Sequence, residues 1–308
     1  MSVSPTGDEL ELLVLGSAAG GGFPQWNCGC DQCQGVRRGD ARFEARSEDT
    51  LALLARGGCF LVNASPSAVT QLARYPSLWP HAPRASPIRG VVLTNGDLDH
   101  TLGLFALREW HPLAVYATER VRQGLEQNAM LRTLQRFPGQ LVWRRLELEC
   151  ETELVASDGA PTGIRVTPIA AEGKPPLHLL GDLPPHAEDN VSLSVRAPSG
   201  ARALYASSTG SLTKLCAHFA GAELLLLDGT FWSEEEPLGF GAPAGARAMG
   251  HLPMGGPGGS VSLPCPIPKR FFTHINNTNP VLDANSEARA ALSRAGWELA
   301  RDGMSFRL

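Results

Sequence analysis

The sequence predicts an α/β protein in which two β-sheets carry helices on their outer faces. About twelve short apolar segments read as strands, because most of them end at Gly, Asn, Asp, Ser or Pro. The few helical patterns do not alternate strictly with these strands, which argues against a doubly wound parallel sheet. The 33 glycines and 24 prolines follow no collagen period and therefore indicate many tight turns.

The predicted elements run along the whole chain. Strands are predicted at residues 10–15, 50–54, 59–62, 91–93, 114–117, 141–148, 164–168, 191–195, 203–206, 223–227, 270–273 and 296–301. Helices are predicted at residues 103–109, 119–135 and 287–295. The second helix has apolar residues at Val121 and Leu125, and the third follows Ser286, a residue type that caps helices.

The organisation predicted from this pattern is a single domain of residues 1–308, since no stretch has the composition of a linker. Two long segments rich in Gly and Pro interrupt it, at residues 171–189 and 232–268. Unstructured loops of that length are uncommon in a compact domain and usually serve as lids or binding segments.

Composition excludes several classes of protein. Hydrophobic residues make up 43% of the chain and charged residues 19%, so a sizeable core can form. The net charge of −4 gives no basic surface for nucleic acid, and no apolar run approaches the roughly 20 residues of a membrane span. The first residues lack the basic start of a signal peptide. We therefore expect a cytoplasmic protein with neither nucleic acid nor membrane as a partner.

The seven cysteines point to a metal site rather than to disulfides, because the number is odd and three of them lie within six residues. Cys28, Cys30 and Cys33 can converge on one Zn²⁺ ion, which takes four such ligands. The fourth ligand cannot be read from the local sequence, and a redox pair or a chance cluster is the alternative. The adjacent glycines at residues 20–22 match no phosphate-binding pattern.

A second polar cluster follows the predicted strand at residues 91–93 and ends in the adjacent pair Asp99 and His100. Two further strands also end in a possible ligand, Asp228 in one and His274 in the other. Separately, each has a structural alternative: a helix cap, a turn Asp or a core His. Together they predict a site with two histidines and two carboxylates, because ligands gather where the carboxyl ends of strands meet.

This arrangement resembles the metallo-β-lactamase superfamily, whose hallmark is the motif HxHxDH followed by downstream His, Asp and His ligands. Asp99 and His100 match the end of that motif, Asp228 matches the bridging Asp, and His274 matches the last His. Asn95 and Asp97 stand where the first two histidines belong. Asn190 stands near the position of the middle His. The missing imidazoles count against a dinuclear zinc hydrolase.

Six longer segments resemble one branch of that superfamily, the PqqB family of pyrroloquinoline quinone (PQQ) biosynthesis. They are residues 15–33, 63–67, 93–100, 226–232, 249–253 and 273–283, which include NASPS, LTNGDLDH and THINNTNPVLD. The resemblance implies an αββα sandwich. It also implies iron- and O₂-dependent hydroxylation of the tyrosine ring in a cross-linked Glu–Tyr intermediate derived from the PqqA peptide. Other proteins of the PQQ pathway are possible partners, and the alternative role is that of a carrier transporting PQQ or its precursor.

The residue chemistry agrees with an oxygenase. His100, His274 and one of Asp99 or Asp228 form the set of two histidines and one carboxylate that holds Fe(II) in non-haem oxygenases. We expect all four residues at the active-site iron, with a separate structural zinc at the cysteines. A mononuclear zinc hydrolase could use the same ligands, and this alternative stays open.

Three further residues are candidates for roles in catalysis. His251 lies on the long Gly/Pro segment, where it could be the fourth ligand of the cysteine site or a proton-transfer residue beside the iron. Related phosphodiesterases place the structural-zinc His where this chain has Asn277, and we favour the active site for His251. Asn95 and Asp97 are expected to contact substrate or to hydrogen-bond the metal ligands, and the alternative for Asn95 is a turn residue.

Overall fold

The computed structural model describes residues 7–176 and 184–308, which form two mixed β-sheets of seven strands each. In the first sheet the order is β14-β1-β2-β3-β4-β5-β6. Its strands are β1 (Glu11–Gly16), β2 (Thr50–Ala55), β3 (Gly58–Val62), β4 (Ile88–Val92), β5 (Leu113–Ala117), β6 (Leu141–Arg145) and β14 (Ser305–Arg307). Strands β3 to β6 are parallel to one another, whereas β14, β1 and β2 pair antiparallel.

The second sheet has the order β13-β12-β11-β10-β9-β8-β7. Its strands are β7 (Thr152–Val155), β8 (Pro161–Ala170), β9 (Val191–Arg196), β10 (Arg202–Ala206), β11 (Leu224–Asp228), β12 (Lys269–Thr273) and β13 (Glu298–Leu299). Strands β10 to β13 are parallel, so their carboxyl ends lie at one edge.

Seven α-helices lie in the described part of the chain. They are α1 (Asp31–Arg37), α2 (Ala68–Arg74), α3 (Leu98–Ala106), α4 (Glu119–Glu126), α5 (Thr213–Cys216), α6 (Glu236–Gly239) and α7 (Glu287–Arg294). Short 3₁₀ helices add Pro76–Leu78, Ala129–Leu134, Ser260–Ser262 and Pro280–Leu282.

Three apolar clusters fill the spaces between the layers of the fold. The first lies between the sheets and joins residues such as Phe60 of β3 and Leu226 of β11. A second cluster packs α3 and α4 on the outer face of the first sheet, and a third packs α5 and α7 on the outer face of the second. The αββα sandwich expected from the sequence is confirmed.

Strand β11 shows how one segment serves two of these layers. Its four leucines are buried on both faces of the sheet. Leu224 and Leu226 belong to the cluster between the sheets, whereas Leu225 and Leu227 belong to the outer one. This division follows from the two-residue repeat of a strand, which turns successive side chains to opposite faces. An uninterrupted apolar run is therefore the expected sequence of a strand covered on both sides.

Several predicted boundaries were wrong. Residues 119–135 form no single helix, because α4 ends at Glu126 and the Asn128 side chain accepts a hydrogen bond from Met130 N, which starts a separate 3₁₀ turn. The segment at 232–268 contains α6, and residues 177–183 of the other predicted loop lie outside the described residues. Strands β7 and β14 were missed. No helix in the described ranges is long and apolar enough to cross a membrane.

The fold brings the ends of several parallel strands to one place. The chain reaches His100 shortly after β4, Asp228 is the last residue of β11, and His274 directly follows β12. Asp228 pairs with Thr273 in the parallel register, so Asp228 and His274 leave the same edge of the second sheet. Isolated β-bridges between Ala18 and Ile275 and between Asn95 and Asn190 link chain segments across this edge.

Candidate metal centres

Two imidazoles and a carboxylate converge at this edge. The Nε2 atoms of His100 and His274 lie 3.2 Å apart. Asp99 Oδ2 lies 3.3 Å from His274 Nε2 and 3.7 Å from His100 Nε2. Both histidines are buried, while Asp99 is partly open to solvent from the first turn of α3. The structure therefore brings together three of the four ligands predicted from the sequence.

The hydrogen bonds of His100 identify which of its nitrogens carries the proton. Asn63 Oδ1 lies 3.0 Å from both the backbone nitrogen and the hydroxyl of Thr94, and an atom that accepts from a backbone N–H must be the amide oxygen. Thr94 therefore donates its hydroxyl proton to Asn63 and accepts from His100 Nδ1, 3.1 Å away. Because Nδ1 holds the proton of the neutral ring, the lone pair of His100 is on Nε2.

His274 has an equivalent arrangement. Its Nδ1 lies 2.8 Å from the Thr230 hydroxyl, which in turn lies 2.6 Å from Asp228 Oδ1. An ionised carboxylate only accepts, so Thr230 donates to Asp228 and accepts from His274 Nδ1–H. The lone pair of the neutral His274 ring is thus also on Nε2, facing His100 and Asp99.

This donor set fits a metal ion. With both rings neutral, three acceptor atoms face one another, and a metal cation would satisfy all three. Bonds of about 2.0–2.1 Å to a tetrahedral ion place neighbouring ligand atoms about 3.3–3.4 Å apart. The observed separations of 3.2, 3.3 and 3.7 Å are close to that value. Asp99, His100 and His274 therefore form a candidate metal site.

The pKa values show that this position attracts positive charge. Burial alone would raise the pKa of Asp99, but the charge of His100 and the hydrogen bond with His274 hold it well below its usual range. Burial lowers the pKa of His100. It also opposes protonation of His274, yet the hydrogen bond and charge of Asp99, with the charges of Asp49 and Asp228, raise the pKa of His274 to about 9.

Asp228 lies behind this site. Its Oδ1 accepts from the backbone nitrogen and the hydroxyl of Thr230, and its Oδ2 accepts from Thr209 N at 2.9 Å and His251 Nδ1 at 2.8 Å. These four bonds occupy the lone-pair directions of the carboxylate. Asp228 would bind a metal directly only by giving up one of them.

His251 lies beside His274 and Asp228, at the edge where Asp228 ends β11. Its ring stacks on that of His274 with centroids 5.6 Å apart, and Phe231 packs edge-on against it. Since Nδ1 donates to Asp228, the basic nitrogen of the neutral His251 ring is Nε2. This placement separates His251 from the cysteines, which was the other position considered for it.

Asn95 and Asp97 occupy the turn that precedes α3. Asn95 Oδ1 accepts from Asp97 N at 3.0 Å, and Asn95 Nδ2 reaches Asn190 Oδ1 at 3.4 Å. Asn95 therefore closes the turn and joins the two sheets, as the turn alternative expected. Asp97 is the residue before α3. Catalytic roles for these two residues stay predictions.

The three cysteines form a separate cluster, with all Sγ atoms within 4.8 Å of one another. The Arg37 guanidinium holds their loop by donating to the carbonyls of Cys28 and Gln25, at 2.6 Å each. The side-chain amide of Asn277 lies 3.4 Å from Cys33 Sγ. Its Nδ2–H group donates to that sulfur, as an amide does to a thiolate, and among the described residues no fourth side chain joins the three cysteines as a ligand.

Sequence reasoning missed the hydroxyl and amide residues that orient the ligands. Thr230 follows Asp228 by two residues, and Asn63 opens the NASPS segment. Asn63 also has a positive φ of 62°, which a non-glycine residue rarely adopts outside special sites. Its position in a recognised segment was the available signal, but its partner could be found only from the fold.

The fold and the site define the class of protein. A model of the beta-lactamase superfamily domain matches residues 59–275. A solved structure, a diphosphatase of the PhnP family, has the same fold with a TM-score of 0.65 at 20% identity, covering 97% of each chain. The chain belongs to the metallo-β-lactamase superfamily.

Similarity over nearly the whole length gives the family within that class. A coenzyme PQQ synthesis protein B from Methylobacterium nodulans is 41% identical, covering 97% of this chain and all of that protein. One from Pseudomonas entomophila is 40% identical over 96% and 99%. The crystal structure of Zn²⁺-bound PqqB from Methylobacterium extorquens matches with a TM-score of 0.89 and 35% identity, covering 97% and 100%. The chain belongs to the coenzyme PQQ synthesis protein B family, as the motifs predicted.

Proposed function

We propose that this chain is a metal-dependent enzyme of PQQ biosynthesis that uses Fe(II) and O₂ to hydroxylate the tyrosine ring of a cross-linked Glu–Tyr intermediate. One oxygen atom of O₂ would enter the ring and the other would leave as water, with two electrons from an external reductant. The name of the relatives at about 40% identity supports the pathway. The observation that carries the chemistry is the convergence of His100, His274 and Asp99.

This donor set favours an oxygenase over a hydrolase for a chemical reason. Two imidazoles and one carboxylate on one side of an ion leave positions open for O₂ and substrate. Fe(II) bound there would supply the one-electron redox chemistry that Zn²⁺ lacks. The second metal of a dinuclear hydrolase would need imidazoles where Asn95 and Asp97 stand. Asp228, His251 and His274 also lie close enough together to hold an ion, but four hydrogen bonds already engage the Asp228 carboxylate.

His251 is the proposed proton-transfer residue. Asp228 fixes the orientation of its ring and its tautomer through the 2.8 Å bond to Nδ1, which leaves Nε2 to take or return a proton at the substrate. Asn95 and Asp97 are proposed to position the substrate from the turn before α3. Asp97 brings negative charge close to His100.

The proposed substrate site is a cavity of about 470 Å³ beside His251, between the cysteine loop and the residues that follow His274. Its volume lies within the usual range for small-ligand pockets. Phe231 lines it and also packs edge-on against the His251 ring, so a single side chain lies between the cavity and His251. Phe240 and the amides of Gln25 and Asn276 offer an aromatic contact and neutral hydrogen-bonding groups.

We also propose a structural Zn²⁺ at Cys28, Cys30 and Cys33, where the Asn277 side chain donates a hydrogen bond to the Cys33 sulfur. All seven cysteines are free, which agrees with a reducing compartment and with the expected cytoplasmic location.

The test compares oxygen consumption and metal content in the iron-loaded protein and its His100→Ala variant, with a synthetic Glu–Tyr cross-linked substrate and a reductant. We expect His100→Ala to lose about 100-fold or more of the oxygen uptake, together with one metal per chain, because one of three ligands is removed. His218→Ala is the matched control, since His218 pairs with Glu149 away from the site.

Each other outcome identifies a different function. Unchanged oxygen uptake in His100→Ala would refute the oxygenase. Stoichiometric binding of PQQ without turnover would indicate a carrier. Ester or phosphodiester cleavage that needs no oxygen would indicate a zinc hydrolase.

A further inference from the structure

The hydrogen bonds behind His100 continue past Thr94 and Asn63 into the core between the sheets. Asn63 Nδ2 donates to the hydroxyl of Tyr205 at 3.4 Å, and Tyr205 donates to Asp49 Oδ2. All these residues are buried, and Asp49 retains only 3% of its exposure. The site described above uses neither Asp49 nor Tyr205.

Every donor in this chain of hydrogen bonds points away from the metal site. The proton of His100 Nδ1 faces Thr94, and that of Thr94 faces the Asn63 oxygen. An ionised Asp49 only accepts, so Tyr205 must donate to it and its oxygen is left to accept from Asn63. The amide of Asn63 is thereby fixed from both ends, because exchanging its oxygen and nitrogen would break the bonds to Thr94 and to Tyr205.

Asp49 also supports the other histidine. Its second oxygen, Oδ1, accepts from the Thr273 hydroxyl at 2.6 Å, and Thr273 directly precedes His274. The Asp49 carboxylate therefore holds the end of β12 and also accepts the last bond of the hydrogen-bond chain that begins at His100. His274 has its own shorter chain through Thr230 to Asp228.

A structural role alone does not account for a charged carboxylate at the buried position of Asp49. A buried carboxylate loses its hydration, and the partners given to Asp49 are two neutral hydroxyls, from Tyr205 and Thr273. Burial accordingly raises the pKa of Asp49 to about 6. Apolar side chains of similar volume fill such positions at lower free-energy cost.

We propose that Asp49 and Tyr205 are positioning residues of the metal centre, which hold His100 in the Nδ1–H tautomer so that its Nε2 lone pair faces the metal. The Thr94 backbone N–H already favours the Asn63 oxygen, and Tyr205 and Asp49 reinforce that orientation from the other end. When this second support is lost, the Asn63 amide is held less firmly, and the neutral His100 ring can also place its proton on Nε2, where it blocks metal binding. The proposal rests on the metal site of the proposed function, but it is independent of which metal binds and of the reaction.

The experiment measures Zn²⁺ retained per chain during dialysis against a graded series of a zinc chelator. The His100→Ala variant identifies which release step belongs to this site, since the cysteines also bind zinc. We expect Tyr205→Phe and Asp49→Asn each to weaken the His100-dependent step by about 10- to 100-fold, the usual effect of losing a group that orients a metal ligand. The double variant should bind zinc at this step only slightly more weakly than either single variant, because both changes break the same chain of hydrogen bonds.

Tyr116→Phe is the matched control. Tyr116 is as buried as Tyr205 in the same core, and its hydroxyl bonds only to backbone groups of Glu153 and Val155, none of which leads to a metal ligand. We expect it to lose a comparable amount of stability while retaining zinc with wild-type affinity.

A second measurement addresses the tautomer itself. In ¹⁵N-histidine-labelled metal-free protein, long-range ¹H–¹⁵N correlations should show His100 as the Nδ1–H tautomer, and Tyr205→Phe should give a mixture. The proposal would be overturned if Tyr205→Phe kept the zinc affinity and the His100 tautomer of the wild type. It would also be overturned if Tyr116→Phe lost as much zinc affinity as Tyr205→Phe. Failure of the metal site itself gives a different result, because His100→Ala would then release zinc like the wild type.

Discussion

Gly20 brings the backbone close to the Asp99 carboxylate, which makes it a sensitive test of the metal site at the scale of a single residue. A Cβ at Gly20 would lie 3.1 Å from Asp99 Oδ2, tighter than an ordinary contact. Gly20→Ala should therefore push the carboxylate by a few tenths of an ångström from its place beside His274. We expect zinc affinity at this site to fall by about 10-fold, as when ligand orientation is disturbed.

Competition with a zinc chelator measures this effect, and circular dichroism checks that the fold is kept. Gly239→Ala is the control, because a Cβ there meets no atom within 4 Å. Equal affinities in the two variants would mean that Asp99 does not bind the metal.

At the same scale, the candidate ligands could be picked out from the sequence, but the residues that hydrogen-bond to them could not. Asp99, His100 and His274 were identified because each follows an apolar strand, and strand ends collect ligands. Asp49 and Tyr205 are separated by 156 positions in the chain and meet only when the two sheets pack. Short-range patterns carry no signal for such a pair.

At the scale of elements, helix α6 has a side chain that ties the long Gly/Pro segment to the residues after β12. Glu236 accepts from Trp232 N at 2.6 Å and from the Thr278 hydroxyl at 2.7 Å. Burial raises the pKa of Glu236 to about 7 from an ordinary value near 4.5. Because the folded-state pKa is the higher one, the neutral form contributes stability that is complete below about pH 4.5 and is lost as the pH rises through about 7.

Glu236→Gln should remove this pH dependence, since Gln stays neutral throughout. We expect the unfolding free energy of the wild type, measured relative to the variant, to fall by about 1–3 kcal/mol between pH 4.5 and pH 8. Denaturant unfolding at several pH values measures it. Glu235→Gln, on the exposed neighbouring residue, is the control, and a constant difference between Glu236→Gln and the wild type would contradict the shifted pKa.

The element boundaries show why sequence patterns identify strands more easily than short helices here. Strands β2, β9 and β11 were placed within one residue, since their apolar runs end at turn residues. Helix α1 was missed because its seven residues carry Cys33 and little apolar repeat. Gly35 in that helix faces the Phe43 ring so closely that a Cβ would lie 2.3 Å away, a contact that only the tertiary structure shows.

At the scale of the whole molecule, the layers were predictable and the pairing of strands was not. Strands and helices do not alternate strictly along the sequence, which predicted two sheets with helices on their outer faces, and the family resemblance implied the αββα arrangement. One of the two neighbours of β1 in the sheet is β14, nearly three hundred residues away, through pairs such as Leu12 with Phe306. Strand β14 has three residues, too few for a periodic pattern to identify.

The cysteine loop connects a terminal part of the chain to the active-site edge, so its proposed zinc should affect the stability of the whole molecule. Gln32 in α1 donates to the Thr278 carbonyl at 2.8 Å, and Asn277 contacts Cys33. Zinc bound at the cysteines would fasten this loop to the segment that follows His274. Because the unfolded chain has no preformed site, the free energy of zinc binding adds to the free energy of folding.

Cys33→Ser should therefore lose one zinc per chain and lower the Tm by roughly 5 °C or more, while the metal bound through His100 is retained. Elemental analysis and calorimetry measure the two quantities. Cys150→Ser is the control, because Cys150 is exposed and lies outside the cluster. An unchanged Tm in Cys33→Ser would rule out a structural zinc. Loss of both metals would mean instead that the loop holds the active-site edge in place, since Asn277 and Thr278 follow His274 by only three and four residues.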